Sequence, residues 1–431
     1  MDKDKLAFLF PGQGSQYGGM GAGLYKKFSE ARQTFEQANE ILGFDLRKIC
    51  FSGGLVELNK AENLFPALVT FGVAVFRVYM KEIGIIPHFS AGHSLGEYSA
   101  LVCSGVISFP DALKIVHKRG ILAREVLDNK SGSMTIINGV DAKIVEGQCR
   151  EVSNREQWAA VSCYNSSDQV AVSGHPEVVM KVEDCLIKRK AQVTPLLMSP
   201  PFHCPLMQEA ADQFKSELTA YSYHPGKWPV IANVTALPYS APDDVVDHLL
   251  HQLTRPVKWK QTMDYLQQQG VELMIEMGPQ AVLTNLVKTN EKTKHLSAVS
   301  FGQTDDRNAM LHRFHTRGTL IESLSMPSAA AFISRCLAAA VCTPNFCLDR
   351  HRYQAGVIEP YEKIEKIQDQ LDKTGALPTV EQMDQALEML RSVFNTKKVS
   401  IEQQLKRFNH IFAETRTRNL FPDFKMPTNV R

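Results

Sequence analysis

The 431-residue sequence has no apolar run approaching the ~20 residues of a membrane span. Its richest candidate, Ala329 to Val341, is interrupted by Arg335. Leu6–Phe10, close to the start, is too short for the apolar region of a signal peptide. Neither sign of charge prevails: 48 Lys and Arg face 46 Asp and Glu, for a net charge of +2. That balance argues against nucleic acid or an anionic membrane as a partner. Nine cysteines are scattered without a single C-x-x-C pair. An odd, irregular set of this kind points to reduced thiols in the cytoplasm, not to a disulfide framework or a zinc site. Internal repeats and low-complexity tracts are also lacking. What remains is an ordinary globular composition, 44% hydrophobic and 22% charged. The length is enough to bury a sizeable core and suggests two or three domains.

Over the first three hundred residues, short apolar runs alternate with longer amphipathic ones. Strands are expected at Leu6–Phe10, Pro87–Ala91, Glu272–Glu276 and Leu296–Ser300, and helices at Ala67–Met80 and near Gln280–Lys288. This alternation implies a mainly parallel sheet covered by helices. Between about Gly132 and Met198 the rhythm changes. Strand-like Met134–Ile137, Ala159–Ser162, Gln169–Ser173 and Gln192–Leu197 surround helix-like Ala142–Val152 and Pro176–Lys188. That order is the split βαβ, ferredoxin-like pattern. After about residue 304 the pattern is helical. Tyr361, Ile364, Ile367 and Leu371 share one face, Val380, Met383, Leu387, Leu390 and Phe394 a second, and Ile401, Leu405, Phe408 and Phe412 a third. Thr379 with Gln382, and Ser400 with Gln403, fit capping boxes, and Gly375-Ala376-Leu377-Pro378 fits a turn.

Gly92-His93-Ser94-Leu95-Gly96 fits G-x-S-x-G. A serine on a tight strand-to-helix turn has its hydroxyl pushed into the open, and the flanking glycines tolerate the strained, crowded backbone. The amide of Leu95 would then sit at a helix N-terminus, where it can stabilise an oxyanion. Five residues with two fixed glycines also recur by chance in plain turns, so the motif alone decides nothing.

Its surroundings do. Gly92-His93-Ser94-Leu95-Gly96-Glu97-Tyr98-Ser99-Ala100 resembles the active-site stretch of malonyl-CoA:acyl-carrier-protein transacylases. Phe10-Pro11-Gly12-Gln13-Gly14-Ser15-Gln16 resembles their N-terminal signature. Arg119, within His117-Lys118-Arg119-Gly120, lies 25 residues beyond Ser94, where that family has a carboxylate-binding arginine. Phe202-His203-Cys204-Pro205-Leu206-Met207 resembles the segment bearing the catalytic histidine. Gln252-Leu253 before Pro256-Val257-Lys258-Trp259, and Glu276-Met277-Gly278-Pro279, match two further motifs. The matches come in the family's order across about residues 5–303.

The resemblance implies roles. Ser94 is the nucleophile and His203 the base. A main-chain carbonyl at Gln252 orients the histidine. The amides of Gln13 and Leu95 form the oxyanion hole. Arg119 clamps the free carboxylate of the acyl group, a task suited to its planar fork. Taken singly, His203 reads as a core histidine and Arg119 as a solvated charge beside Lys118. His93 reads as a structural or carrier-facing neighbour, and Glu97 as poorly placed to reach His203. No metal or bound cofactor is implied; the donor is a CoA thioester, and the partner is a phosphopantetheinylated acyl carrier protein. Oligomeric state stays open, a monomer included.

Two positions depart from the pattern: Phe65 stands where the family typically has glutamine, and Ala123 where methionine is common. Both are expected near the acyl pocket, with neutral drift and altered acyl selectivity as alternatives. Phe202, directly before the histidine, resembles malonyl-selective members. The tail is the other departure, since longer free-standing chains of this kind resemble trans-acting acyltransferases of polyketide assembly lines. Its apolar stripes are to be buried either on the acyltransferase core or on a carrier partner. The architecture expected is α/β: a large hydrolase-like domain with a parallel sheet (1–131 and 199–303), an inserted ferredoxin-like subdomain (132–198) and a helical C-terminal extension (304–431). The function expected is malonyl transfer through Ser94 to a carrier protein. The rivals are an editing acyl hydrolase and a non-catalytic carrier-binding scaffold.

Overall fold

The computed structural model describes residues 5–311 and 332–427, apart from 130, 131, 197, 198, 290–292, 294, 348, 375–377, 416, 422, 423 and 425. The chain divides into two compact units, 1–311 and 312–431. The first contains nine strands among the described residues. They are β1 (Lys5–Phe10), β2 (Phe89–Gly92), β3 (Ser133–Asn138), β4 (Ala159–Tyr164), β5 (Gln169–Gly174), β6 (Gln192–Pro195), β7 (Val230–Ile231), β8 (Val271–Glu276) and β9 (Ser297–Ser300).

Five strands form a parallel sheet in the order β7-β2-β1-β8-β9. β1 lies at its centre, and Leu6 to Phe10 are buried without a break, as a strand covered on both faces requires. The helix Ala61–Glu82 lies against this core. Contrary to the sequence reading, which gave Ala329 to Val341 as the richest apolar run, this helix is long and apolar enough to cross a membrane; 83% of its most apolar stretch is buried within the unit, the mark of a core helix. Two sequence expectations shift. The second strand begins at Phe89, two residues later than expected, although the His88 amide already bonds Leu6 O. The two-residue edge strand β7 was not foreseen.

β3 to β6 form a separate antiparallel sheet in the order β4-β5-β3-β6. Helices Ala142–Val152 and Pro176–Lys188 pack on it over a core that includes Ile137, Val145, Val172, Val182 and Leu186. This is the expected ferredoxin-like insertion. Main-chain bonds tie it to the larger sheet's domain: Val257 N–H donates to Ser162 O, and Tyr164 N–H donates to Val257 O, both at 2.9 Å.

In the second unit, helices Phe332–Val341, Glu359–Thr374, Val380–Thr396 and Ile401–Thr415 surround a core of their own. Met383, Leu387, Leu390, Phe394, Phe408 and Phe412 are buried in it. The stripes read from the sequence therefore pack largely on one another. Val380, in the first turn, stays exposed, and Ile401 and Leu405 are only partly buried while Ile411 is fully so. Thr379 and Gln382 form the full capping box. Of the Ser400–Gln403 box, only the Gln403 N–H to Ser400 Oγ bond is present among the described residues. Residues 375–377 of the expected turn lie outside the described residues.

Candidate active site

β2 ends at Gly92, and the helix Gly96–Ser104 starts four residues later. Ser94 sits between them with φ +51°, a left-handed backbone that a residue with a side chain adopts only under constraint. The sharp turn needs glycine, since a Cβ at Gly96 would lie 2.0 Å from Phe10 O. Gly12 is pressed against the same turn from below. A Cβ there would meet His93 O at 2.6 Å and Leu95 N at 3.4 Å. The loop carrying Gln13 is thus held against the residues that flank Ser94. Among the described residues, neither the Gln13 nor the Leu95 amide is spent on an internal hydrogen bond.

Ser94 Oγ lies 2.7 Å from His203 Nε2. His203 also has a left-handed backbone, φ +63°, and its own amide is fixed on Leu253 O at 2.9 Å. Nδ1 donates to Gln252 O at 2.6 Å, which leaves Nε2 free to accept the serine proton. Burial, reinforced by the Arg119 charge, depresses the imidazole to about 3. It is therefore neutral and able to accept a proton across the physiological range.

Arg119 projects from the helix Phe109–Asp128 and is 2% exposed. Its guanidinium carbon lies 4.7 Å from the Phe202 ring centre, 5.0 Å from Phe65 and 5.6 Å from Tyr98. Nη2 donates to Gln252 Oε1 at 3.3 Å, and Nε is buried without a partner. Burial lowers its affinity for the proton, a direction expected of a cation that lacks a matched anion. The aromatic faces enclose the guanidinium, which is not itself among the cleft-lining residues and borders the cleft through Phe202.

Beside Ser94 opens a cleft of about 400 Å³ between the two sheets' domains. Gln13, Ser94, Phe202 and His203 line one wall, and Met134 and Ile136 of β3 line the other. The arrangement unites a hydroxyl, a neutral base with its proton acceptor, two unengaged amides and a buried cation. That is the equipment of acyl transfer from an acyl group bearing a negative charge.

The acyl transferase domain family matches residues 7–322. A malonyl CoA-acyl carrier protein transacylase of Bacillus subtilis is 36% identical over 94% of this chain and 99% of its own length. The Escherichia coli K12 protein of the same name is 39% identical over 69% of this chain and 96% of its own. The chain belongs to the malonyl-CoA:acyl-carrier-protein transacylase family. It is an acyltransferase. Solved structures agree. The transacylase from Coxiella burnetii has a TM-score of 0.69 at 34% identity, covering 72% of this chain and 98% of its own. A malonyl-transacylase solved in complex with a type II polyketide synthase acyl-carrier protein has a TM-score of 0.69 at 37% identity, over 72% and 99%. The Bacillus match is too long to stop at residue 311, so that transacylase shares much of the helical extension.

With the family in place, the sequence-derived residues sort by position. Ser94, His203, Gln252, Gln13 and Leu95 come together, and Phe202 lines the cleft. Phe65 and Ala123 are fully buried and are not among the cleft-lining residues; Phe65 reaches the site through Arg119 and Phe202, whose ring lies 5.9 Å from its own. His93 bonds Asn165 Oδ1 at 2.8 Å and packs edge-on against Trp259, so it links the elbow to the inserted sheet. Sequence reasoning missed Asn233. Its Oδ1 accepts the Ser94 amide at 2.7 Å, and its Nδ2 donates to Gly92 O at 2.6 Å.

Proposed function

We propose that this chain transfers a malonyl group from coenzyme A to the phosphopantetheine thiol of an acyl carrier protein, through an ester on Ser94. The observation that carries the reading is the hydrogen-bonded series Ser94 Oγ, His203 Nε2, His203 Nδ1, Gln252 O. Ser94 Oγ attacks the thioester carbonyl carbon while its proton passes to His203 Nε2. The amides of Gln13 and Leu95 receive the developing oxyanion. The C–S bond breaks, and the leaving sulfur takes the proton from His203. In the second half the carrier thiol gives its proton to His203 and attacks the ester carbonyl. Ser94 Oγ departs with that proton, so the enzyme is restored.

The malonyl carboxylate pairs with the edge of Arg119. That pairing has a second effect, because the Arg119 charge is one cause of the low basicity of His203. A carboxylate on Arg119 offsets this charge and makes the base stronger when the correct acyl group is bound. An editing hydrolase has no use for such a clamp, which favours transfer over hydrolysis. The likeness to a malonyl-transacylase paired with a type II polyketide synthase carrier protein is consistent with a trans-acting role in polyketide assembly. Intact-mass analysis after incubation with malonyl-CoA tests the reading. One malonyl increment is expected on the wild type and none on Ser94→Ala; an increment that persists in the variant refutes Ser94 as the nucleophile.

A further inference from the structure

Glu97 lies on the helix that follows the elbow and is 1% exposed. Its carboxylate bonds neither Ser94 Oγ nor the His203 ring, yet the supports of both residues converge on it. Oε1 accepts the Asn233 amide at 3.0 Å and the Tyr239 hydroxyl at 2.7 Å. Oε2 accepts Gln252 Nε2 at 2.5 Å. From Asn233 one bond runs to the Ser94 amide. From Gln252 one runs through Nε2 to Ser94 O at 2.9 Å, and another through the main-chain carbonyl to His203 Nδ1. Both main-chain polar groups of Ser94 are thus gripped by residues that Glu97 fastens, and so is the imidazole.

The grip matters because Ser94 and His203 both have positive φ. Each such backbone is strained and persists only where its surroundings over-determine it. We propose that Glu97 is a positioning residue for the Ser94–His203 pair, holding nucleophile and base in register through Asn233 and Gln252. The inference rests on the roles given to Ser94 and His203 above. The chemistry of the donors fits it. An N–H, an O–H and an amide NH2 all point at this side chain, so the site requires a pure acceptor, an ionised carboxylate. A glutamine at 97 would set its own NH2 against one of those donors and release one arm. Arg119 from the helix Phe109–Asp128, Tyr98 beside it and Tyr239 are the charged and titratable groups that face Glu97. Burial pushes the carboxyl up to about 7, opposed by its three donors and by Arg119.

Single-turnover acylation of Ser94 by malonyl-CoA, read by rapid-quench mass spectrometry, tests the proposal. Glu97→Gln is expected to acylate roughly 100-fold more slowly, the scale of a misplaced reacting group, with half-saturation by malonyl-CoA changed by less than about threefold. Combined with Asn233→Ala, it is expected to be slower than the worse single variant by no more than about threefold, because both act on one support. Tyr239→Phe removes a partner that leads to neither reacting residue; at about pH 9, where the carboxyl stays ionised without that donor, it is expected to keep the rate within about threefold. The Nδ1 proton resonance of His203 is expected to move in Glu97→Gln and to stay in Tyr239→Phe. Near-wild-type acylation by a folded Glu97→Gln overturns the proposal. So does full multiplicativity with Asn233→Ala, or an equal loss in Tyr239→Phe at that pH. If Glu97→Gln does not fold, Glu97→Asp decides, since it keeps the acceptor but shortens its reach: slowed acylation with unchanged half-saturation supports the proposal, and a wild-type rate overturns it. Absence of any label on wild-type Ser94 refutes the transacylase reading instead.

Discussion

Replacing Arg119 by alanine isolates the recognition of the acyl carboxylate. The guanidinium is enclosed by Phe65, Tyr98 and Phe202 and, among the described residues, bonds Gln252 Oε1 alone and leaves Nε unpartnered. A malonyl carboxylate seated there without its cation is a stranded charge, and breaking a buried pair of this kind costs about 3–5 kcal/mol. The cleft beside Ser94 is open to solvent, so the lower end is taken. About 3 kcal/mol corresponds to roughly 100-fold in rate. The packing lost among the three rings, and the rise in His203 basicity, affect every donor alike. They cancel when malonyl-CoA is compared with acetyl-CoA, which carries no carboxylate. The expected result is that kcat/KM for malonyl transfer falls roughly 100-fold further than kcat/KM for acetyl transfer. A malonyl-to-acetyl ratio that stays the same in Arg119→Ala shows that the carboxylate binds elsewhere, and the argument from the aromatic enclosure fails with it.

Two further outcomes are expected. Glu276 of β8 accepts the amides of Leu283 and Thr284 at 3.0 and 2.7 Å, and burial raises it to about 7 from 4.5. A carboxyl raised in the folded state contributes stability that is complete below 4.5 and is lost as pH rises through about 7. In Glu276→Gln, the decline in urea-unfolding free energy between pH 5 and pH 8 is expected to shrink by roughly 2–3 kcal/mol; an unchanged decline refutes the assignment. A chain ending at Leu311 keeps every site residue and the whole first unit, so it is expected to be soluble and to self-acylate on Ser94. Ending at Ser300 instead removes Phe301, which packs on Tyr79 with ring centres 5.2 Å apart. Failure of the longer truncation to fold shows that the first unit depends on the extension.

The sequence was most legible where a signal is local. The alternation of β3 to β6 with two helices is a matter of period, and it survives into the structure almost residue for residue. The elbow was legible because glycines mark a backbone that little else permits. Asn233 was not, because a single asparagine after three apolar residues has no pattern. Its importance arises only when the chain returns beside β2 and brings its amide to Ser94. β7 escaped for a related reason, being two residues long and held at the sheet edge by two register pairs. Glu97 was correctly read as unable to reach His203. What could not be read was that Asn233, Tyr239 and Gln252, from three later segments, all end on it. In the extension, periodicity showed which faces are apolar but not what covers them. Most of that cover comes from neighbouring helices of the same unit.

The contact of Gly12 with the elbow makes residue 12 a thickness gauge. The Gln13 and Leu95 amides come from distant parts of the chain; the His93 amide bonds Phe10 O at 2.9 Å just before the glycine, and beyond it the gap is set by contact. It is set by how closely two backbones can lie when only a hydrogen atom separates them. An oxyanion needs both donors at about 2.7–3.1 Å at once, so a single methyl group acting as a shim would lengthen one bond or the other. Such a change leaves the charge, the base and the nucleophile untouched. It also leaves the ground-state thioester free to bind, since the loss falls on an atom that becomes an anion only in transit. A side chain at residue 12 therefore acts through volume, by forcing apart the two backbones that carry the donors.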